Sequence, residues 1–365
     1  MRYLPEQQKS VEQFVKPYTR PKKMKIPRRK LMKVLIAGSG IAGVSAAQKI
    51  LQNDPSAQIS LYDSEGLGLY ARIRLPEYIA GSLAREKLFL TKGEQLQTKG
   101  INFIKDTIEK IDTDAHIVTL KSGLTDTYDR LLLCCGADAR IPALPGSENC
   151  NQKIFTLRSM TDADRIIQQL EGSQSALLLG GGVLGLECAW HLRQRGINVT
   201  LLECLERLLP RQCTPEQSAL LKSRLEECGV QIETGCQLQK ITHGGHYVDT
   251  LEITLSSGKV LTGDFLLVSA GMSPRTAAAA ASGIACKNGI LVDNQMKTSA
   301  PDVYAAGDCA ESETPNYGMW ISAKDQGEAL GNIITGKLTD FVLPARTPVL
   351  KIGQLDLTGI RSSRP

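Results

Sequence analysis

A chain of 365 residues is long enough for two or three hydrophobic cores, and its 42% hydrophobic and 22% charged residues are those of an ordinary globular protein. No apolar run reaches bilayer-spanning length and no secretory signal pattern opens the chain, so a cytoplasmic protein without a membrane-embedded body is expected. The net charge of +5 is unevenly placed: residues 1–33 hold eleven Lys and Arg against two Glu, a balance of +9 that leaves −4 for the remainder. Residues 1–31 therefore read as a basic, solvated extension, and no nucleic-acid-binding body is expected.

Ordered structure is predicted to begin near Met32. Strands are expected at 33–37, 58–62 and 101–104, alternating with helical segments as in a βαβ unit with a parallel sheet. Short alternating runs between 107 and 135 read as a β-meander that leads into a strand at 130–134. Pro142, Pro145 and Gly146 break the chain. A second unit follows, with helices near 160–170 and 214–228 and strands near 175–179 and 197–202. Runs near 236–242, 249–255 and 259–262 read as a second meander, leading to a strand at 264–269. The two halves thus repeat one plan.

The ten cysteines include no Cys-x-x-Cys pair and make no zinc set with the four histidines, so neither a disulfide framework nor a metal site is expected. Cys134 and Cys135 in an apolar strand, and Cys188 on a helix, read as small buried hydrophobes. His243 and His246, the only histidine cluster, read as part of a loop.

Each half carries a glycine fingerprint between an apolar run and a helix-like run. The first is Gly38-Ser39-Gly40-Ile41-Ala42-Gly43, and the second is Gly180-Gly181-Gly182-Val183-Leu184-Gly185. The first glycine of such a motif permits a tight turn, the second lets a pyrophosphate approach the backbone, and the third lets helix and strand pack closely. The helix N-terminus then faces the phosphates. An acid about 20 positions on holds a ribose diol, a role that Asp63 and Glu203 fit. Each site has a companion strand ending in a small-residue turn, at Gly136 in the first half and at Ala270-Gly271 in the second. Two dinucleotides are expected.

Residues 298–310, Thr-Ser-Ala-Pro-Asp-Val-Tyr-Ala-Ala-Gly-Asp-Cys-Ala, resemble the second flavin motif of the pyridine nucleotide-linked FAD oxidoreductases. With both fingerprints, the resemblance extends over residues 32 to about 357. It implies that the first fingerprint holds the ADP part of FAD, that the second holds NAD(H), and that Asp308, after Gly307, hydrogen-bonds the flavin ribityl chain. Glu203 favours NADH, because a 2′-phosphate beside a carboxylate is repelled; Arg207 nearby counts the other way. The implied fold class is α/β, with two Rossmann-like dinucleotide-binding domains, each with an inserted meander. The FAD domain (32–146 and 271–340) is interrupted by the NAD domain (147–270). Residues 341–365 resemble the start of a truncated C-terminal α+β domain.

Disulfide reductases of this fold carry redox cysteines near the flavin, whereas residues 70–81, Tyr-Ala-Arg-Ile-Arg-Leu-Pro-Glu-Tyr-Ile-Ala-Gly, contain none. This segment is similar to that of rubredoxin reductases, flavorubredoxin reductases and the flavin domain of NADH-dependent nitrite reductases. The resemblance implies hydride transfer from NADH to FAD and electron transfer to a small acidic carrier, rubredoxin or a similar iron protein. Alternatives are the flavin module of a nitrite reductase and a nucleotide-binding redox sensor that does not turn over; a homo-oligomer is left open. Glu187 matches a family Glu that pairs with a basic residue beside the flavin, with Arg72 or Arg74 as its partner here. Both arginines are also candidates for steering the carrier, for binding phosphate, or for solvating their loop. Glu77 stands where several relatives have Lys, and Ile73 where they have Pro. Residues 318–327 resemble the helix that covers the flavin ring.

Overall fold

Five consecutive apolar or aliphatic-stemmed residues, Lys33–Ala37, form a strand whose two faces are both covered. Val34 and Ile36 enter one hydrophobic cluster with the helix Ile41–Asn53, while Leu35 and Ala37 enter another with the meander. The strand Ser175–Leu179 repeats the arrangement, with Ala176 and Leu178 on the helical side and Leu177 and Leu179 on the meander side. Unbroken apolar runs of this kind are what parallel strands buried on two sides require. The computed structural model describes residues 31–244, 250–313, 318–344, 350–352 and 355–356.

Two five-stranded parallel sheets result. The first has the order Val303–Ala305, Arg130–Leu133, Lys33–Ala37, Gln58–Tyr62, Ile101–Ile104. The second has the order Ile154–Thr156, Phe265–Val268, Ser175–Leu179, Asn198–Leu202, Gln231–Glu233. Four of the five positions match in chain order, so the internal repeat holds in three dimensions; the edge strand alone differs, coming last in the chain in the first sheet and first in the second. Each half also has a three-stranded antiparallel sheet, over Ile108–Asp112, Ile117–Leu120 and Thr125–Thr127 in one and Leu238–His243, Leu251–Leu255 and Val260–Gly263 in the other. The two crossings between the halves run side by side, Ala137–Ala139 pairing antiparallel with Met272–Pro274. Arg275 is anchored there by Asp138 at 2.6 Å.

The expected strands at 33–37, 58–62, 101–104 and 175–179 are found with those bounds. His243, expected in a loop, instead ends a strand. Residues 303–305, quoted above only as part of a flavin motif, form the edge strand of the first sheet. The hairpin that pairs Gly68–Tyr70 with Phe89–Lys92 was not anticipated. Lys351–Ile352 pairs with Leu355–Asp356, and Ile352 is buried against the core around the helix Val183–Gln194. Residues 1–30, His246 and most of the stretch after 344 lie outside the described residues.

Helix Trp320–Ile334 lies on helix Ile41–Asn53 through small residues. A Cβ added at Gly327 would collide with the Ala42 carbonyl oxygen, which is backbone and cannot rotate away. Gly327→Ala gains about 1 kcal/mol of helix propensity but meets an overpacking cost of about 1–3 kcal/mol. The substitution is therefore expected to lower the urea midpoint without changing the m-value; a raised midpoint would show that the two helices are free to separate.

Candidate functional site

Among the longer helices, Met160–Leu170 and Pro215–Glu227 close their own first turns with capping boxes, Ser159 with Asp162 and Thr214 with Gln217. Helices Ile41–Asn53, Val183–Gln194 and Trp320–Ile334 have no side-chain cap; their N-cap positions are Gly40, Gly182 and Met319. Their leading N–H groups are left for another partner, and a helix N-terminus suits an anion.

The two fingerprints build the same cradle. Gly38 and Gly180 adopt φ of +112° and +115°, and their amides donate to the Tyr62 and Leu202 carbonyls at 2.8 Å. A Cβ on Gly43 would strike the Gly38 carbonyl oxygen, and one on Gly185 the Gly180 carbonyl oxygen. By contrast, a Cβ on Gly40 or Gly182 meets no atom within 4 Å. The first and third glycines therefore serve the fold, while the second keeps a space open at the helix start. Gly136 and Gly271, at φ +71° and +101°, are equally open at the ends of the companion strands. Ile41, Ala42, Val183 and Leu184 form the first turns of the two helices, and Ala270 precedes Gly271 in its turn. This is a cradle that an added side chain would fill, and it fits the pyrophosphate of a dinucleotide.

Equivalent acids are used differently. Asp63 is buried and accepts from the Leu67 and Gly68 amides at 2.9 and 3.2 Å and from the Glu65 amide at 3.2 Å, ordering the turn after its strand. Glu203 instead accepts from the amide of Gly181 inside the fingerprint at 2.6 Å and from Leu205 at 2.8 Å. Arg207 donates to the Cys213 and Pro210 carbonyls at 2.5 and 2.9 Å and to Ser218 Oγ at 3.0 Å. Its guanidinium is thereby engaged within its own loop.

The Gly307-Asp308 turn lies on the first fingerprint helix. The Gly307 amide donates to Gln326 Oε1 at 2.5 Å, and a Cβ there would touch the Ala42 side chain. Asp308 Oδ2 accepts from Arg158 Nη2 at 2.8 Å, and that nitrogen also reaches the Ala137 carbonyl at 3.2 Å. A cavity of about 130 Å³ opens beside this pair. Its walls include Arg158, Leu184 of the second fingerprint, Ser269, Gly271 and Gly318. Groups from both halves therefore face one space.

The two candidate arginines are held by carboxylates other than Glu187. Arg72 pairs with Glu65 at 2.6 Å, and Arg74 pairs with Glu77 at 2.5 Å. Glu187 is buried on the helix that follows the second fingerprint. Glu77 thus serves as the counterion of Arg74. Carrier steering by these arginines is weakened, since each positive charge is matched within hydrogen-bond distance. Cys134 and Cys188 are buried as expected, and burial pushes both thiols well above their usual range, whereas Cys135, expected to be buried with them, is only partly so.

Arg158, Glu65, Tyr70 and Gln326 are participants that the sequence did not single out. Arg158 immediately precedes the Ser159 cap, the one local signal in its neighbourhood, and nothing in that signal points toward Asp308.

The family model described as pyridine nucleotide-disulphide oxidoreductase matches residues 32–327. A rubredoxin-NAD(+) reductase of Pseudomonas putida is 33% identical over 321 residues, covering 87% of this chain and 82% of the relative. The large subunit of the Klebsiella oxytoca NAD(P)H nitrite reductase is 31% identical, covering 89% of this chain but 34% of that protein. The crystal structure of NADH:rubredoxin oxidoreductase from Clostridium acetobutylicum superimposes with a TM-score of 0.74 at 29% identity, covering 89% of this chain and 80% of the other.

The division of labour among the glycines is testable on the apoprotein. Gly40→Ala is expected to change stability by less than about 1 kcal/mol while weakening FAD binding at least tenfold by fluorescence titration. Gly43→Ala should lower the unfolding midpoint before any cofactor is added. Equal destabilisation by both would contradict the geometry.

Proposed function

The chain belongs to the pyridine nucleotide-disulphide oxidoreductase family, and from that premise we propose that it is an NADH-oxidising flavoprotein that delivers electrons to a small iron protein of the rubredoxin type. FAD and NAD(H) are the cofactors of the family. When bound, FAD supplies the conversion of a two-electron hydride donor into single-electron delivery. The assignment is carried by the shared cavity, which Leu184 of the second fingerprint and Gly318 beside the flavin motif both line.

The protein's part is binding and alignment. Helix Ile41–Asn53 and the open position at Gly40 receive the FAD pyrophosphate, with Asp63 toward the ribose; helix Val183–Gln194 and Gly182 do the same for NADH, with Glu203 toward its ribose. Asp308 receives the ribityl hydroxyls. The residues around Gly271 and Gly318 exclude water from the space between donor and acceptor, where proximity and orientation dominate the rate. We assign residues 32–146 and 271–340 to FAD, 147–270 to NAD(H) and 341–365 to a C-terminal element, and place the protein in the cytoplasm. Among the described residues, no helix is long and apolar enough to cross a membrane.

Residues 70–81 contain no cysteine, so electrons leave without a thiol relay in that segment. The relatives named as rubredoxin reductases support the acceptor class.

Glu203 and the engaged Arg207 favour NADH. Glu203→Ala should raise the NADPH-to-NADH ratio of kcat/KM by roughly tenfold, about 1.4 kcal/mol of discrimination; an unchanged ratio would place the discrimination elsewhere. To test the function itself, the FAD-loaded protein is mixed anaerobically with NADH and flavin absorbance is followed, after which oxidised rubredoxin is added. Bleaching followed by catalytic rubredoxin reduction is expected. Bleaching with transfer only to a haem or iron–sulfur domain would identify a nitrite reductase module, and bound FAD that NADH does not bleach would identify a redox sensor.

A further inference from the structure

Around the flavin motif, two arginines and one tyrosine form a continuous bonded path. The Arg72 guanidinium donates to Glu65 Oε1 at 2.6 Å, to Tyr70 Oη at 2.6 Å and to the Arg158 carbonyl at 2.8 Å, and lies 4.5 Å from the Tyr70 ring centroid. Tyr70 is 2% exposed. Its hydroxyl also accepts from the Met160 amide at 3.0 Å and donates to Glu65 Oε2 at 2.9 Å. Burial pushes the tyrosine well above its usual range, so the hydroxyl stays protonated and able to donate.

Two backbone groups of the connector between strand Ile154–Thr156 and helix Met160–Leu170 are thus fastened to the wall of the first half. The Arg158 amide is fixed as well, by Asp162 Oδ2 at 3.0 Å. With its N–H and C=O both held, the Arg158 backbone is fixed in place, and its side chain meets Asp308. It takes Oδ2 alone. Oδ1 lies toward Gly318, 4.0 Å from where a Cβ on that glycine would stand. One oxygen is therefore held by the cation while the other lies toward Gly318, a residue of the cavity wall.

We propose that Glu65, Tyr70 and Arg72 form a latch that positions Arg158 on Asp308, so that the connector into the NADH-binding half sets the orientation of the carboxylate that receives the flavin side chain. Arg158 is a positioning residue in this scheme, and Glu65 and Tyr70 act through it. Losing the Glu65 or Tyr70 contacts leaves Arg72 and Arg158 in place as cations but lets the connector move, which misaligns nicotinamide and flavin without removing a group that contacts NADH. Small misplacements are costly in a reaction governed by alignment. The inference rests on the hydride-transfer reading of the site and is independent of the acceptor.

Tyr70→Phe removes the hydroxyl and keeps the ring. In the FAD-loaded protein under anaerobic stopped flow without acceptor, the limiting rate of flavin bleaching is expected to fall about tenfold, with the NADH concentration for half-saturation within twofold of wild type. FAD dissociation should be at least fivefold weaker by fluorescence, and Met160 amide hydrogen exchange in the apoprotein should accelerate at least tenfold. Glu65→Gln, isosteric, should reproduce the pattern, and Arg158→Lys should retain more of the rate than Arg158→Gln. Faster Met160 exchange with unchanged bleaching rate and FAD affinity would overturn the proposal, leaving a brace with no influence on the site. Wild-type rates in Arg158→Gln would overturn it equally. Should NADH fail to bleach the unmutated holoprotein, the oxidoreductase reading falls, and FAD affinity together with Met160 exchange still decides the latch.

Discussion

Backbone amides at the first turns of three helices lack a partner from their own segment, and the rest of the molecule is arranged around that deficit. A buried N–H without an acceptor is costly, and the chain demonstrates elsewhere that it can avoid the cost, with Ser159 and Thr214 closing their helices. At Ile41, Val183 and Trp320 the side-chain acceptor is missing. The parallel sheets place the first two of these starts at the carboxyl ends of their central strands, Lys33–Ala37 and Ser175–Leu179, the usual position for ligands in open α/β folds. The third is brought to the first by the close contact of Gly327 with Ala42.

Much of this was legible in the sequence because its causes are local. A strand buried on both faces must be apolar along its buried length, so the runs at 34–37 and 176–179 stand out. A glycine that must adopt positive φ, as Gly38 and Gly180 do, has few substitutes. The edge strand Val303–Ala305 is three residues long and sits within a motif, leaving no periodicity to read. Pairings between distant side chains were harder still. Family resemblance suggested Glu187 for Arg72, yet Glu65, seven positions away in a turn, is the carboxylate that reaches it. Arg158 and Asp308 are 150 positions apart, and only the assembled sheets show that they meet.

The repeat also shows how duplicated positions diverge. Asp63 and Glu203 follow equivalent strands and each accepts from the amide two residues on, Glu65 and Leu205, but the shorter acid turns its other oxygen to Leu67 and Gly68 while the longer one reaches back to Gly181 in its own fingerprint. One methylene changes which backbone the second oxygen organises. The acid of the second half is thereby bonded directly to its own glycine turn.

The two passages between the halves, Ala137–Ala139 and Met272–Pro274, run as an antiparallel ribbon. A segment that leaves and re-enters at neighbouring points has its ends already joined in space, so closing the surrounding fold over it carries little loop entropy. The inserted half can accordingly be regarded as a removable module: the outer half would remain continuous across a short turn in its place. That geometry lets one chain hold two copies of a similar fold, one inside the other, without either interrupting the sheet of its host.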